Sequence, residues 1–169
     1  MKRQMLDERA FLHSGTFRFH ISRLTFHVFP ASLRCLNISM MRTTTIWKGG
    51  KAYDSFQNGA KIELNSGTGF GPKALLLTGL AGCSGIDVVE ILEKMRVPFA
   101  DLEIEAEAEQ TDDHPKVFKT IQLTYKIKAE EDLREKIKKA IDLSLEKYCG
   151  VAAMLKKNSA IEYSLLITE

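Results

Sequence analysis

Cysteine is the residue type in this 169-residue chain that is best suited to chemistry, and it occurs at Cys35, Cys83 and Cys149. Thiols can serve as nucleophiles, redox groups and metal ligands. The sequence has no CxxC pair, and its four histidines lack metal-ligand spacing, so we expect neither a metal site nor a bound cofactor. Three cysteines also argue against a secreted disulfide scaffold and favour a cytoplasmic protein with one or two working thiols.

Two of these cysteines lie in different local settings. Cys83, within LAGCSGID, stands ten residues after Lys73 inside a long apolar segment, where a lone cysteine is usually a small core residue. Cys149, within KYCGVAAML, follows one predicted helix and begins another, where free backbone N–H groups can favour a thiolate. Each cysteine, taken alone, is also explained as part of the core.

The first part of the domain predicts three short antiparallel strands. Gly49-Gly50 and Asn58-Gly59 are turn signals between segments rich in β-branched or alternating residues. The strands are predicted at residues 43–48, 51–57 and 60–65. A glycine-rich loop follows and leads to Pro72, which stands at a natural helix entry.

A long helix is predicted from Lys73 to Arg96, and it is apolar on nearly every side. Such a helix is a central one, and the expected buried positions are Leu75, Leu76, Leu80, Cys83, Ile86, Val89 and Leu92. Glycines reduce helix propensity, so those within the helix are expected to allow close packing of another backbone. Polar residues interrupt the segment before it reaches the roughly 18 apolar residues that span a bilayer.

The second part of the domain predicts a hairpin, two helices and a last strand. Alternation of apolar and charged residues gives strands over 101–111 and 116–128, with the lysines of the second facing the glutamates of the first. Helices are predicted over 130–148 and 151–157, and a strand over 159–168. The predicted order is therefore βββ–α–ββ–α–α–β, an α+β domain.

Residues 1–40 differ from the rest of the chain. They hold five of the nine phenylalanines, have six basic and only two acidic residues, and show no steady period. One interpretation is an extension upstream of a true start at Met40 or Met41; the other is a targeting segment or an added strand. Residues 41–169 then form the domain. Its net charge is −2, which gives no case for nucleic acid.

The domain resembles the OsmC/Ohr family of osmotically inducible and organic-hydroperoxide-resistance proteins. The resemblance covers about residues 41–169 and rests on GPKALLLTGLAGCSGIDVVEILEKMR, the alternating hairpin after it, and the second cysteine in YCGVAAML. It implies an OsmC/Ohr-like fold in an intertwined homodimer, with the long helix buried between subunits and the active sites at the interface. The less-studied OsmC-like members are the nearest in pattern.

The resemblance also implies roles for individual residues. Cys83 would attack the peroxide and become a sulfenic acid, and Cys149 would condense with it to a disulfide that an external thiol or dithiol reduces. The family's peroxidases place an arginine near the first hairpin turn and a glutamate after the helix-opening proline. Here these positions are Lys51 and Lys73. Lysine supplies charge without the planar fork of arginine, Glu63 is a possible substitute for the glutamate, and both lysines are also explained as solvated surface residues.

The sequence therefore favours a thiol-dependent hydroperoxide reductase with Cys83, Cys149 and Lys51 as its catalytic residues. Such an enzyme would serve in the response to oxidative stress as an antioxidant protein. The alternative is a non-catalytic dimeric module that binds a small apolar or thiol-reactive ligand, or a redox sensor. The paired cysteines support the enzyme, and the altered clamp supports the alternative. Neither function predicts binding to nucleic acid or to a membrane.

Overall fold

The computed structural model describes residues 40–168, and from Met41 onward they form one compact unit. The predictions made for residues 1–39 lie outside the described residues. The elements are β1 (Thr44–Gly49), β2 (Ala52–Gln57), β3 (Ala60–Asn65), α1 (Pro72–Lys94), β4 (Ala100–Gln110), β5 (Phe118–Lys128), α2 (Arg134–Leu143), α3 (Gly150–Leu155) and β6 (Ala160–Thr168). This order confirms the predicted α+β class and the arrangement βββ–α–ββ–α–α–β.

Strands β1, β2 and β3 form an antiparallel sheet in that order. Asn58 and Gly59 both adopt positive φ, at 49° and 82°, as a two-residue hairpin turn requires. In the part of the chain that the structure describes, Leu64 is the one buried residue of these three strands. Among residues 40–168, both faces of the sheet therefore remain largely uncovered.

A second sheet has the order β4-β5-β6 and carries the core. Strand β5 pairs antiparallel with β4 and parallel with β6, and α2 and α3 make the crossover that a parallel pair needs. Lys126 lies opposite Glu103 and forms ion pairs with Glu103 and Glu105, as the alternation predicts. Ile121, Leu123 and Tyr125 are fully buried and hold the sheet against the helices.

Helix α1 packs one stripe of side chains on the second sheet. Leu80, Ser84, Val88, Ile91 and Leu92 are its buried residues. A Cβ at Gly85 would lie 2.9 Å from Ile104 Cδ1, so this glycine lets the helix approach β4 closely.

The opposite face of α1 is uncovered by the part of the chain that the structure describes. Leu76 and Ile86, expected on buried surface, are 49% and 64% exposed. By length and composition alone, Pro72–Lys94 is the one described helix that could cross a membrane. Polar residues interrupt its apolar runs, as expected, but they are too few to lower the mean hydropathy of the helix below that of a membrane span.

The segment predicted as one helix over 130–148 is not a uniform α-helix. A 3₁₀ turn at Glu131–Leu133 opens it, α2 follows, and Ser144–Tyr148 forms a π-helical turn. The backbone N–H of Cys149 donates to the Ser144 carbonyl at 2.8 Å and closes this wider turn. Single π turns occur often at functional sites, and this one ends directly at Cys149.

Candidate thiol site

The structure brings Cys83, Cys149 and Asp87 together. The two Sγ atoms and a carboxylate oxygen of Asp87 all lie within 4.8 Å of one another. Cys83 and Asp87 are separated by four residues on α1, so they share one face of that helix. Cys149 reaches the same place from the chain between the π turn and α3.

The local backbone explains how Cys149 is held. Cys149 is the N-cap residue of α3, with extended backbone angles, and its Sγ accepts a hydrogen bond from the Ala152 N–H at 3.3 Å. An N-cap position normally uses a side-chain oxygen for this purpose. Here a sulfur takes that role, which orients the thiol toward α1.

The two thiols differ in their exposure. Cys149 is only 3% exposed, whereas Cys83 is half-buried. Burial raises the pKa of the Cys149 thiol from 9.0 to about 11; the Ala152 N–H opposes this rise, and the contact with Cys83 adds to it. At neutral pH Cys149 is therefore a protonated thiol, and Cys83 is the sulfur that a reagent can reach.

A buried chain of hydroxyl groups leads to Asp87. Tyr125 OH is hydrogen-bonded to Ser84 Oγ, which lies 3.1 Å from Ser144 Oγ, and Ser144 Oγ lies 3.2 Å from Asp87 Oδ2. Each hydroxyl has one proton to donate, so donation from Tyr125 through Ser84 and Ser144 to Asp87 satisfies all of them. The carboxylate is thus fixed in place beside the sulfurs.

Tyr125 stands at the far end of this chain. Burial raises the pKa of Tyr125 to about 12, a change that the hydrogen bond with Ser84 partly opposes. Its ring packs edge-on against Tyr163, whose hydroxyl donates to Asp142 at 2.7 Å. Tyr125 therefore remains a neutral hydrogen-bond donor across the pH range of ordinary enzymes.

Among the described residues, the structure does not bring the predicted positive charges into contact with the cysteines. Lys51 lies in the exposed turn between β1 and β2 and takes part in no ion pair or side-chain hydrogen bond among residues 40–168. Lys73 Nζ donates hydrogen bonds to Gln110 Oε1 and to the Lys116 carbonyl. The backbone of Lys73 lies about 15 Å along α1 from that of Cys83, by the helical rise. Glu63 pairs with Lys61 on β3. A charged group that does lie beside the thiols is the acid Asp87.

A cavity of about 420 Å³ opens next to Asp87. Ile91, Met95, Leu143 and Tyr148 give it apolar surface, and Lys94 and Lys139 lie at its border. This is a suitable volume for a small organic molecule or for several waters. Asp87 therefore neighbours both the two thiols and an accessible cavity.

Three functional candidates were absent from the sequence expectations, namely Asp87, Ser84 and Ser144. The spacing of four between Cys83 and Asp87 was a usable signal, since such pairs meet on a helix surface. Ser144 carried no signal, because its position depends on the π turn and on packing across 60 residues of sequence.

Comparison with known proteins agrees with this architecture. Residues 65–164 match the family described as OsmC-like protein. This chain belongs to the OsmC-like family. The OsmC-like chain is 38% identical over 93 residues to Protein YhfA of Escherichia coli strain K12, a match that covers 55% of this chain and 69% of YhfA.

Solved structures share the OsmC-like fold. A hypothetical protein from Aquifex aeolicus VF5 is 29% identical, with a TM-score of 0.68 over 78% of this chain and 100% of that one. The organic hydroperoxide resistance protein OhrB of Bacillus subtilis is 21% identical, with a TM-score of 0.55 over 75% of this chain and 97% of that one. In this fold the apolar α1 is the core helix of a soluble domain, which accounts for its hydropathy.

Proposed function

We propose that this OsmC-like protein is a thiol-dependent hydroperoxide reductase that uses Cys83 and Cys149 as a redox pair and prefers organic peroxides. The observation that carries the proposal is the approach of the two sulfur atoms to within 4.8 Å. A disulfide needs a bond of about 2.05 Å, so local movement of the two side chains must bring the sulfurs together. The π turn before Cys149 is a natural place for that adjustment.

The proposed reaction has three steps. The Cys83 thiolate attacks one peroxide oxygen, the O–O bond breaks, and the alkoxide leaves and takes up a proton to become an alcohol, while the sulfur becomes a sulfenic acid. The Cys149 sulfur then attacks the Cys83 sulfur, and the thiol proton and the sulfenic hydroxyl leave as water. An external dithiol exchanges with the disulfide, is itself oxidised, and restores both thiols.

The difference in burial supports this assignment of roles. Cys83 is the more accessible sulfur and can meet a peroxide first. Cys149 is buried and its thiol is held protonated by a pKa of about 11, so it is a poor first nucleophile at neutral pH. It is well placed to react with a sulfenic acid that forms beside it.

The site is proposed to be completed by a second copy of the chain. Exposed apolar side chains occupy the first sheet and the outer face of α1, including Trp47, Ile62, Leu76 and Ile86. A homodimer that covers this apolar surface would remove it from water. Lys51 is proposed to act at the site across that interface, as the positive group that stabilises the Cys83 thiolate.

The names of the similar structures add weight to a peroxidase. OhrB of Bacillus subtilis is described as an organic hydroperoxide resistance protein, as is an OsmC protein from Legionella pneumophila with 16% identity and a TM-score of 0.61. At these identities the likeness is one of fold, so the activity is proposed here on the geometry of the two thiols. A cytoplasmic location, where an intracellular dithiol is at hand, belongs to the same proposal.

The non-catalytic alternative is favoured by one observation, the position of Asp87. A carboxylate beside two thiols does not supply the positive charge that a peroxidase uses, and Asp87 lines a cavity of about 420 Å³ that could hold a small ligand. On this reading the protein binds a thiol-reactive or apolar molecule without turning it over.

Peroxide consumption with an excess of dithiol distinguishes the two functions. We expect the wild-type protein to consume an alkyl hydroperoxide catalytically and Cys83→Ser to have no activity. Cys149→Ser should complete one turnover and then stop, with a sulfenic acid on Cys83 that a dimedone-type reagent traps and mass spectrometry locates. Cys35→Ser is the matched control and should keep wild-type turnover. If the wild-type protein consumed no hydroperoxide, the result would favour the hypothesis of a non-catalytic binding module.

A further inference from the structure

We propose that the reduced protein binds one zinc ion per chain through Cys83, Cys149 and Asp87. Two thiols and one carboxylate are a donor set that Zn²⁺ accepts, and their ligand atoms lie within 4.8 Å of one another. Within residues 40–168, no other group of three histidine, cysteine or acidic side chains gathers its ligand atoms so closely. The two cysteines are 66 residues apart in sequence, so short ligand-spacing patterns do not reveal the site.

The geometry needs only a small adjustment. A tetrahedral zinc with bonds of about 2.3 Å to sulfur and about 2.1 Å to oxygen keeps its ligand atoms about 3.5 to 3.8 Å apart. The three atoms are at most 4.8 Å apart before any metal draws them in. A shift of about 1 Å at side-chain ends completes three corners of the tetrahedron.

The local charge also suits a cation. Among residues 40–168, no lysine, arginine or histidine forms an ion pair with Asp87, although Lys94, paired with Glu90 at 3.2 Å, and Lys139 line the same cavity. Zinc would bind the two sulfurs as thiolates with release of their protons to solvent, and its charge would offset the negative charge of the three ligands.

Hydrogen bonds already hold two of the three ligands in position. The Ser144 hydroxyl lies 3.2 Å from Asp87 Oδ2, and the Ala152 N–H donates to Cys149 Sγ at 3.3 Å. Outer hydrogen-bonding partners of this kind orient metal ligands and are part of working metal sites. A carboxylate oxygen and a thiolate sulfur each keep further lone pairs for a metal.

The fourth coordination position can be filled from solvent. Asp87 lines the cavity of about 420 Å³, so water has access to the ligand set from that side. Thiolate ligands select Zn²⁺ over hard cations such as Mg²⁺. A zinc ion bound here would occupy the sulfur lone pairs and block reaction with a peroxide, yet its binding does not depend on the protein being a peroxidase.

Zinc titration of the full-length reduced protein, in competition with a chromophoric chelator and without oxygen, tests the site. We expect one zinc per chain. Loss of an outer hydrogen-bonding partner weakens metal binding by up to about 100-fold, so loss of a direct ligand in Cys83→Ser or in Cys149→Ser should weaken it by at least that factor. Asp87→Asn keeps an oxygen for Ser144 and should weaken binding by at least about tenfold. Co²⁺ should give the visible spectrum of a tetrahedral site with a thiolate charge-transfer band, and Mg²⁺ should not compete.

Three controls keep the result independent of folding defects and of the peroxidase proposal. Glu93→Gln, at an exposed acidic position further along α1, and Cys35→Ser should both bind zinc as the wild type does. The wild-type protein oxidised to the Cys83–Cys149 disulfide should lose zinc binding and recover it on reduction, with no substitution involved. Equal zinc affinity in the oxidised and reduced proteins, or in Cys83→Ser and the wild type, overturns the zinc site and leaves the peroxidase assay unaffected.

Discussion

Asp87 follows Cys83 by one turn of α1, and a carboxylate oxygen of Asp87 lies within 4.8 Å of the Cys83 sulfur. This arrangement places an acid where the family resemblance suggests a basic clamp. The carboxylate is held by Ser144 and, through it, by Ser84 and Tyr125. We therefore propose that the chemistry of Cys83 depends on what neutralises the site, and the two proposed candidates are Lys51 from a second copy and a bound cation.

Substitution of Lys51 tests the first of these possibilities. We expect Lys51→Ala to slow the reaction of Cys83 with an alkyl hydroperoxide by about tenfold, the effect of losing about 1.4 kcal/mol of charge stabilisation. Stopped-flow measurement of the single-turnover rate isolates this step from reduction. Lys48→Ala, which removes an exposed lysine from the same hairpin, is the control and should react at the wild-type rate. Equal single-turnover rates for Lys51→Ala and Lys48→Ala would contradict the proposed role of Lys51 at the thiol site.

Alkaline pH should destabilise the fold through Cys149. Its pKa is about 11 in the folded chain and 9.0 ordinarily, so between these values the unfolded chain has released a proton that the folded chain retains. The contribution of Cys149 to the free energy of unfolding should therefore be fully present below about pH 9 and should be lost as the pH rises toward about 11. Urea denaturation of reduced protein at pH 8 and pH 10 measures the fall. The free energy of unfolding of Cys149→Ser should fall less between these two pH values. An equal fall in the variant and the wild type would contradict the attribution of the pH effect to Cys149.

The buried hydroxyl chain should contribute measurably to stability. Tyr125→Phe removes the hydroxyl that is bonded to Ser84 in a site without solvent access, so we expect the free energy of unfolding to drop by about 1 to 2 kcal/mol. Thermal or urea denaturation provides the measurement. Tyr163→Phe is the matched control, because its hydroxyl bonds Asp142 in a partly exposed place and its loss should cost less. If Tyr125→Phe left the free energy of unfolding unchanged, the buried hydroxyl chain would not stabilise the fold.

Association through the outer face of α1 can be tested by size. We expect light scattering at micromolar concentration to give the mass of a dimer for the wild type. Ile86→Glu places a charge on the uncovered face of α1 and should yield monomers, because a buried unpaired charge opposes association. Met154→Glu, at a position on α3 with nearly the same exposure, should leave the dimer intact. A monomer mass for the wild type would reject the dimer.

The fold could be predicted well where the determining signals are local. The alternation of Glu103 and Glu105 with apolar neighbours, and of Lys126 in the next segment, predicted an antiparallel strand pair. The structure confirms it, with Lys126 opposite Glu103, although Lys128 lies opposite Ala100. The parallel pairing of β5 with β6 was not predicted. These strands are separated in sequence by α2 and α3, so no turn motif between them indicates that they pair. The π turn was likewise missed, since a helix-like sequence does not reveal one extra residue in a turn.

The site was predictable only in part. Cys83 and Cys149 were expected together from the resemblance, and the structure places them together. Asp87 was missed because a carboxylate on an apolar helix was interpreted as an interruption of that helix. Lys51 remains a prediction, because its approach to Cys83 depends on a second chain.

The sheet of β1, β2 and β3 has a consequence for how stability depends on dilution. A three-stranded sheet with Leu64 as its one buried residue gains little from burial within the described chain. If a second copy supplies the missing cover, each dilution step shifts the population toward chains whose first hairpins are unprotected. Backbone amides of β2 should then exchange with deuterium faster in dilute protein, while those of β5, buried by its own chain, keep the same rate.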